Sequence, residues 1–210
     1  EALIVSLKNA MDEALTALDP KKHRIASAGL VTQRSSIVCW NRTDGQALSP
    51  VISWQDRRAT DFIDAVSADP EDIHQRTGLF LSPHYGASKL RWCLDHLCDV
   101  ARAAGSGLLA FGPLASFITA RLTRETAFLS DPANASRTLL WNRHTQDWDD
   151  KLCRIFGIPK DALPRCVPSR QAFGHLSVSD GDIPLSIVTG DQSAALFSAG
   201  KPESDALYIN

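Results

Sequence analysis

Asp191 is the residue with the clearest chemical potential, because it lies where a predicted strand meets a predicted helix. Residues 183–188 form an apolar, β-branched run typical of a buried strand, and residues 192–199 indicate a helix that stops at Gly200. Ligands of open α/β sheets bind where strands end and helices begin. A carboxylate at that point could take a proton from a substrate hydroxyl. The alternative is that Asp191 only caps the helix, a position that favours aspartate.

Three further side chains are candidates for ligand contacts. Arg34 follows a predicted buried strand at residues 25–31, and its guanidinium could hold two hydroxyls or a carboxylate with its fixed fork of donors. Trp54 ends a predicted strand at residues 51–54 and could form an apolar wall for the C–H-rich face of a ligand. His84 lies on a proline-containing loop, where binding groups often occur. Each has a plain alternative: a surface arginine, a core tryptophan and an inert loop histidine.

The elements that would position these side chains alternate short strands with helices, which is typical of an α/β fold with a mixed sheet. A single domain is the simplest organisation, since no repeat and no low-complexity linker interrupts the 210 residues. Residues 130–137 are predicted to form a polar loop, and Lys89, Trp92 and His96 a helix packing face. Strands are predicted at residues 25–31, 37–40, 51–54, 108–111 and 183–188, and helices at residues 1–18, 59–67, 71–76, 87–104, 113–122, 148–156 and 192–199.

The composition is that of an ordinary globular protein, with 44% hydrophobic and 22% charged residues and a formal net charge of −2. This balance predicts no basic surface, so nucleic acid and anionic membranes are poor candidates as partners. No apolar run approaches the roughly 18 residues of a transmembrane helix. The five cysteines are scattered, mostly within apolar segments, and no pair has zinc-site spacing. They favour buried thiols in a reducing cytoplasm and no metal site.

Common catalytic and nucleotide-binding motifs are missing from the sequence. Neither G-x-x-x-x-G-K-[ST] nor G-x-G-x-x-G occurs, so no ordinary nucleotide-binding loop is predicted. The nucleophile elbow G-x-S-x-G and the zinc-binding H-E-x-x-H helix do not occur either. The residues alone therefore indicate a small-molecule α/β domain with one plausible carboxylate.

Six collinear segments, spread over about residues 25–200, resemble the FGGY family of carbohydrate kinases, and within it the glycerol kinases above all. One such segment would be a weak signal, whereas six in the same order are specific. The segments are T-Q-R at 32–34, W-Q-D-R-R at 54–58, T-G-L-x-L-S-P at 77–83, S-D-P-A-N-A-S-R-T at 130–138, F-G-I-P-x-x-x-L-P at 156–164 and G-D-Q-S-A-A-L-F at 190–197.

The resemblance implies two domains of the actin and ribonuclease H-like kind that close over ATP and a sugar or polyol. Residues 1–210 resemble most of the first, sugar-binding domain. The family transfers the γ-phosphoryl group of Mg-ATP to a substrate hydroxyl, a reaction that depends on positioning and charge stabilisation. By resemblance, Asp191 is the base that takes the hydroxyl proton, Gln192 helps to hold the substrate, and Arg34 and Trp54 match substrate-contacting positions.

Two positions depart from the glycerol kinase pattern. Glycerol kinases follow the T-Q-R arginine with a glutamate that binds substrate hydroxyls, where this chain has Ser35. They carry a substrate-contacting tyrosine after the loop proline, where this chain has His84. Losing a charged acceptor from a buried polyol site costs ~1.5–3 kcal/mol. We therefore expect a substrate other than glycerol, such as a larger polyol, a ketose or an aldose.

The resemblance also implies segments that flank this one in the family. Family members open with a strand and a D-x-G-T phosphate loop and continue into a G-T-G phosphate loop and an ATP-binding second domain; neither matches this sequence. We expect the 210-residue chain not to turn over ATP, and its ATP-binding residues are unknown. Without the leading strands, the 25–31 strand would have a bare edge, which favours a homodimer or a covering neighbour. A non-catalytic sugar-sensing module on the same fold is the alternative function.

Overall fold

A three-stranded mixed sheet carries the parallel strand pair on which the candidate site lies. The computed structural model describes residues 1–19, 23–178, 181–198, 200–203, 205 and 207. The helices are α1 (Ala2–Thr16), α2 (Thr60–Asp64), α3 (Pro70–Thr77), α4 (Gly86–His96), α5 (Cys98–Gly105), α6 (Leu114–Leu122), α7 (Pro132–Ala135), α8 (Asp150–Phe156) and α9 (Asp191–Ala195). The strands are β1 (Ala28–Thr32), β2 (Ile37–Asn41), β3 (Leu109–Pro113), β4 (Leu129–Ser130), β5 (Trp141–Asn142), β6 (Asp147–Trp148), β7 (Arg165–Cys166), β8 (His175–Val178) and β9 (Gly181–Gly190).

The sheet has the strand order β1-β9-β8, with β1 parallel and β8 antiparallel to β9. The predicted mixed sheet is therefore confirmed. In the parallel pair, Thr32 at the end of β1 lies opposite Gly190 at the end of β9. β2 and β3 form a separate antiparallel pair, in which Ile37 lies opposite Pro113. The register places the residues that follow β1 and β9 side by side.

The hydrophobic core has three parts, with α6 between the sheet and the β2–β3 pair. The largest part joins α4, α5 and α8 to β2 and β3, and Leu90, Phe111 and Phe156 are fully buried in it. A second part packs Ile4 of α1 against Phe117 of α6. The third part of the core lies against the three-stranded sheet. Burying one such large apolar side chain stabilises the fold by about 1.5–3 kcal/mol, so this core holds the strands that carry the site.

The predicted strand at residues 51–54 is wrong, because only Ile52 pairs with a strand residue, Ile37. Pro50, just before it, has no N–H to donate to a ladder. The N–H of Trp54 donates to the hydroxyl of Ser36 at 2.9 Å instead of to a strand. The segment is thus an extended loop tied to the start of β2.

The predicted helix at residues 87–104 is two helices, α4 and α5. Leu97 separates them with an extended backbone, φ −113° and ψ 104°. Apolar spacing continues across the break because both helices bury their inner faces, Leu90 and Cys93 in one and Val100 and Ala103 in the other, in the same core. Periodicity alone therefore could not reveal the break.

Residues 130–137, predicted to form a polar loop, contain the short helix α7. Asp131 is the N-cap of α7 and accepts hydrogen bonds from the backbone N–H groups of Ala133 and Asn134. The side chain of Asn134 donates to Asp131 at 2.7 Å and accepts from the hydroxyl of Thr32 at 3.3 Å. These polar groups are buried because they satisfy one another, and they fix α7 to the end of β1.

Cysteine placement agrees in part with the prediction of buried thiols. All five cysteines are free, and Cys39, Cys93 and Cys153 are buried. Cys166 is half-buried, and Cys98 at the start of α5 is exposed. None of the described helices is both long and apolar enough to cross a bilayer.

The outer edge of β1 stays a predicted site of self-association. On its other side β1 pairs with β9, and within the described residues no strand covers the outer edge. Val31 on this strand is 51% exposed. We expect light scattering of the 210-residue chain to give twice its 22.9 kDa mass, and Val31→Lys to shift it toward the monomer, because an edge lysine opposes strand pairing. A wild-type monomer would overturn the prediction.

A second prediction concerns the clamp between the end of α6 and β8. Glu125 accepts hydrogen bonds at 2.7 Å from both the ring Nδ1 and the backbone N–H of His175. These bonds lower the pKa of Glu125 from its ordinary value of 4.5 to about 2. A carboxylate whose pKa is depressed on folding stabilises the fold above its unfolded pKa and loses that effect as pH falls toward its folded pKa.

We therefore expect Glu125→Gln to lower the free energy of unfolding at pH 7, with a difference from wild type that shrinks between about pH 5 and pH 2. Urea unfolding across that range measures it. Glu13→Gln, on an exposed face of α1, is the matched control and should show no such pH-dependent difference. A difference between the Glu125 variant and wild type that does not change with pH would contradict the role of the clamp.

Candidate functional site

A cavity of about 300 Å³ lies at the carboxyl ends of β1 and β9. All six residues that the sequence analysis proposed for the site line it, together with two that it did not propose. The lining consists of Gln33, Arg34, Ser35, Trp54, His84, Arg137, Asp191 and Gln192. Residues from five separate parts of the chain thus converge on one cavity. Their individual roles remain predictions.

Asp191 is the first residue of α9 and not its N-cap. The N-cap is Gly190, whose backbone is extended, and the helix has no side-chain cap. One carboxylate oxygen of Asp191 accepts from the N–H of Gln192 at 2.8 Å, and the side chain remains 48% exposed. The predicted N-cap position of Asp191 is therefore wrong, since Gly190 holds it, while the role of Asp191 in chemistry stays a prediction. α9 ends at Ala195, earlier than predicted, and Ala199 lies outside the described residues.

Arg34 lies beside Asp191 in the lining of the cavity. Its Nε is 3.8 Å from the nearer carboxylate oxygen of Asp191, and its side chain is 25% exposed. Burial lowers the pKa of Arg34, and the like charge of Arg137 lowers it further, whereas the carboxylates of Asp191 and Asp131 raise it. The long separation makes this a loose ion pair, which leaves both groups able to bind a ligand.

Gly190 is what allows Arg34 to approach β9. A Cβ atom added at Gly190 would lie 2.4 Å from Cδ and 2.6 Å from Cγ of Arg34. Those distances are far below van der Waals contact, so any larger residue at position 190 would displace the arginine stem. The glycine of the G-D-Q segment therefore has a packing role toward Arg34 in addition to ending the strand.

Lys89 joins the two segments that carry Ser35 and Trp54. Its ammonium is fully buried and donates to the carbonyl oxygens of Ser35 at 3.0 Å, Ser53 at 2.8 Å and Trp54 at 3.2 Å. Three acceptors match the three N–H donors of an ammonium group. Burial lowers the pKa of Lys89 from 10.5 to about 8, and the nearby charge of Asp56 raises it.

Sequence reasoning missed this role of Lys89 by placing it on a helix packing face with Trp92 and His96. The usable signal was a charged residue within the otherwise apolar inner face of α4, where Leu90 and Cys93 are also fully buried. A lysine there needs acceptors, and loop carbonyls supply them.

Ser35 and His84, the two departures from the glycerol kinase pattern, both face the cavity. Ser35 is buried, and its backbone is left-handed, with φ 61°. The hydrogen bond from Lys89 to the carbonyl oxygen of Ser35 holds this conformation. The rings of His84 and Trp54 meet edge to face, with centroids 5.7 Å apart. Burial lowers the pKa of His84, and Lys89, Arg137 and Arg57 lower it further. Burial and these positive charges favour the neutral form of its imidazole.

Arg137 is the second guanidinium at the cavity, and sequence reasoning assigned it no role. It follows α7, and its guanidinium carbon lies 4.8 Å from the ring centroid of Tyr85. Its backbone carbonyl accepts from the hydroxyl of Ser35 at 3.5 Å. The S-D-P-A-N-A-S-R-T segment contained it, but only the folded chain shows that this segment returns to the end of β1.

A larger cavity of about 800 Å³ lies elsewhere, beside α1 and β8. Among its polar lining residues, Arg124 and Asp182 form an ion pair and His175 is hydrogen-bonded to Glu125, while His23 and Arg24 also line it. Its lining residues His23, Val178 and Gly181 adjoin, along the sequence, residues 20–22 and 179–180, which are outside the described residues. The smaller cavity, at the strand ends, has the converging polar groups of a ligand site.

Metal ligation is a separate question from ligand binding. In the part of the chain that the structure describes, no three side chains of His, Cys, Asp or Glu converge as a metal site requires. We therefore assign no metal ligands to the described residues.

Comparison with known proteins identifies the class to which this architecture belongs. The model of the FGGY family of carbohydrate kinases, N-terminal domain, matches residues 1–198. The chain is 36% identical over 193 residues to the glycerol kinase of Dichelobacter nodosus and 38% identical over 192 residues to that of Geobacter sp. (strain M21). Each match covers 90% of this chain and 39% of the relative.

Solved structures agree with this relationship. The crystal structure of Plasmodium falciparum glycerol kinase with ADP matches with a TM-score of 0.84 at 27% identity, covering 91% of this chain and 39% of that one. The xylulose kinase of Rhodospirillum rubrum shares the fold, with a TM-score of 0.78 at 20% identity, covering 91% of this chain and 40% of that one.

The chain belongs to the FGGY family of carbohydrate kinases. Its fold is the actin-like, ribonuclease H-like α/β fold that the resemblance implied. It spans about 39% of the length of the glycerol kinases that it matches.

The contacts of Lys89 make a direct prediction. Lys89→Met keeps the apolar stem but leaves three buried carbonyl oxygens without their donor, which costs about 1–3 kcal/mol for each unsatisfied group that water cannot reach. We expect a lower free energy of unfolding, measured in urea. Lys8→Met, on the exposed face of α1, is the control. Unfolding free energies of the Lys89 and Lys8 variants that agree within about 0.5 kcal/mol would contradict the anchoring role.

Proposed function

We propose that the cavity at the ends of β1 and β9 binds a sugar or polyol, and that the complete protein transfers the γ-phosphoryl group of ATP to one of its hydroxyls. The observation that carries this proposal is the half-exposed carboxylate of Asp191 beside Arg34 in the lining of the cavity. Family membership supports the same reaction class. The homologous glycerol kinases, named for phosphorylating glycerol, support a polyhydroxylated substrate.

Each residue has a proposed role in this reaction. Asp191 accepts the proton of the attacking hydroxyl, and Arg34 and Gln192 orient the substrate through hydrogen bonds. Trp54 presents an apolar ring to the carbon skeleton of the ligand. Bound Mg-ATP would supply the phosphoryl group and balance the charge that develops during transfer. Since transfer needs positioning more than a strong base, an ordinary carboxylate is adequate at Asp191.

We propose further that glycerol is not the preferred substrate. Ser35 cannot supply the carboxylate that glycerol kinases direct at substrate hydroxyls, and His84 replaces their tyrosine. The cavity of about 300 Å³ has room for a ligand larger than a three-carbon polyol. These two replacements therefore favour a larger polyol or a sugar as the substrate.

The cellular location of the protein and its alternative function, sugar sensing, also remain proposals. A cytoplasmic location suits an ATP-dependent reaction and five free thiols. A sugar-sensing module on the same fold would bind the ligand and not phosphorylate it. ATP consumption by the complete protein separates the two functions, since only the kinase couples ligand binding to phosphoryl transfer.

Substitution of the proposed base gives the test. We expect Asp191→Asn in the complete protein to lower kcat by about 10²–10⁴-fold, because the amide cannot accept the hydroxyl proton, while substrate binding changes little. Steady-state kinetics and calorimetric binding measure the two effects. Asp99→Asn, an exposed carboxylate on α5, is the matched control. A variant at Asp191 that keeps its rate within a few-fold of wild type would refute the role of base.

A further inference from the structure

The cavity contains an imbalance of charge. Two guanidinium groups, Arg34 and Arg137, line it, and Asp191 is the one carboxylate among its lining residues. In the proposed reaction, Asp191 must stay available to the substrate hydroxyl. One positive charge at the cavity is therefore left without a dedicated counter-charge.

Arg137 is the guanidinium without that counter-charge. Across the described part of the chain, no carboxylate lies within ion-pair distance of Arg137. Its guanidinium instead stacks over the ring of Tyr85. Stacking on an aromatic ring orients a guanidinium and leaves its N–H edge free to bind. Arg137 lines the cavity, so its N–H groups are available to a ligand there.

Other nearby carboxylates do not neutralise the cavity. Asp131 acts on Arg34 through space, but it is fully buried, and its oxygens accept from Asn134 and from the N–H of Ala133. Burial also raises the pKa of Asp131. Asp56 is held by the guanidinium of Arg58 through both of its oxygens. Neither carboxylate lines the cavity.

The charges around His84 also indicate an excess of positive charge at the cavity. After burial, the causes that lower its pKa are three positive charges, Lys89, Arg137 and Arg57. No carboxylate raises it. His84 lines the same cavity, so these charges add to the positive charge of Arg34 and Arg137 there.

We propose that the substrate carries a carboxylate, which the guanidinium of Arg137 binds in the cavity that Arg34 and Asp191 also line, so that the substrate class is the sugar acids. The proposal rests on the kinase function above and names its substrate class. A planar fork of donors suits a carboxylate, which it binds with two parallel hydrogen bonds. Ser35 is consistent with this class, since the acidic residue that glycerol kinases have at its position would repel such a group.

The test compares acids with neutral ligands of the same length. Aldonates of three to six carbons, from D-glycerate to D-gluconate, are matched with the alditols from glycerol to D-glucitol, which differ only in the terminal group. Calorimetry of the complete protein measures binding, and a coupled assay of ADP release measures phosphorylation. We expect at least one aldonate to exceed its alditol by about tenfold or more in affinity and in kcat/KM.

Arg137→Gln tests the assigned contact, with Arg102→Gln, an exposed arginine on α5, as the matched control. The Arg137 variant should lose at least about tenfold in affinity for the aldonate and little for the alditol. Equal losses for both ligands would assign Arg137 a structural role and overturn the proposal. If Arg137→Gln does not fold, Arg137→Lys keeps the charge without the fork and should show a smaller loss, again confined to the acid.

The outcomes separate this inference from the kinase function. Aldonates that bind tightly without phosphorylation would uphold the carboxylate site and overturn the kinase function. Alditols phosphorylated better than every aldonate would uphold the kinase and overturn the carboxylate site. Failure of both ligand series to bind would overturn the carboxylate site, and phosphorylation of a neutral ketose or aldose would then still uphold the kinase.

Discussion

Parallel pairing of β1 with β9 is the constraint on which the site depends. Its register sets Thr32 opposite Gly190, so the chain leaves both strands at the same edge of the sheet. Arg34 then lies beside Asp191, although 157 residues separate them in the sequence, and Gly190 leaves room for the arginine stem. A slip of this register would separate the guanidinium from the carboxylate.

Buried polar groups extend this arrangement to the cavity walls. Lys89 holds the carbonyl oxygens of the two segments that carry Ser35 and Trp54, and the Asp131–Asn134 pair holds α7 against Thr32. Each group is costly to bury alone and stable only with its partners. The walls are therefore specified by hydrogen bonds, while the apolar core behind them supplies most of the stability.

Local patterns in the sequence were sufficient for the strand–helix junction at Asp191 and for the mixed α/β fold, because β-branched runs and turn residues act over a few positions. Motif resemblance added Arg34, Trp54 and His84 to one site. The sequence signals a buried lysine at Lys89, but the acceptors of Lys89 and the position of Arg137 could not be predicted, since they lie in segments about 35–100 residues away. The break at Leu97 was hidden because α4 and α5 share one core face.

The most direct measurement is the position of a bound substrate in a crystal structure of the complete protein. The proposed function predicts density for the sugar or polyol between Trp54 and the Arg34–Asp191 pair, with the reacting hydroxyl oxygen about 2.6–3.2 Å from a carboxylate oxygen of Asp191. Substrate bound in the larger cavity beside α1 and β8, or with no hydroxyl within hydrogen-bond distance of Asp191, would contradict it.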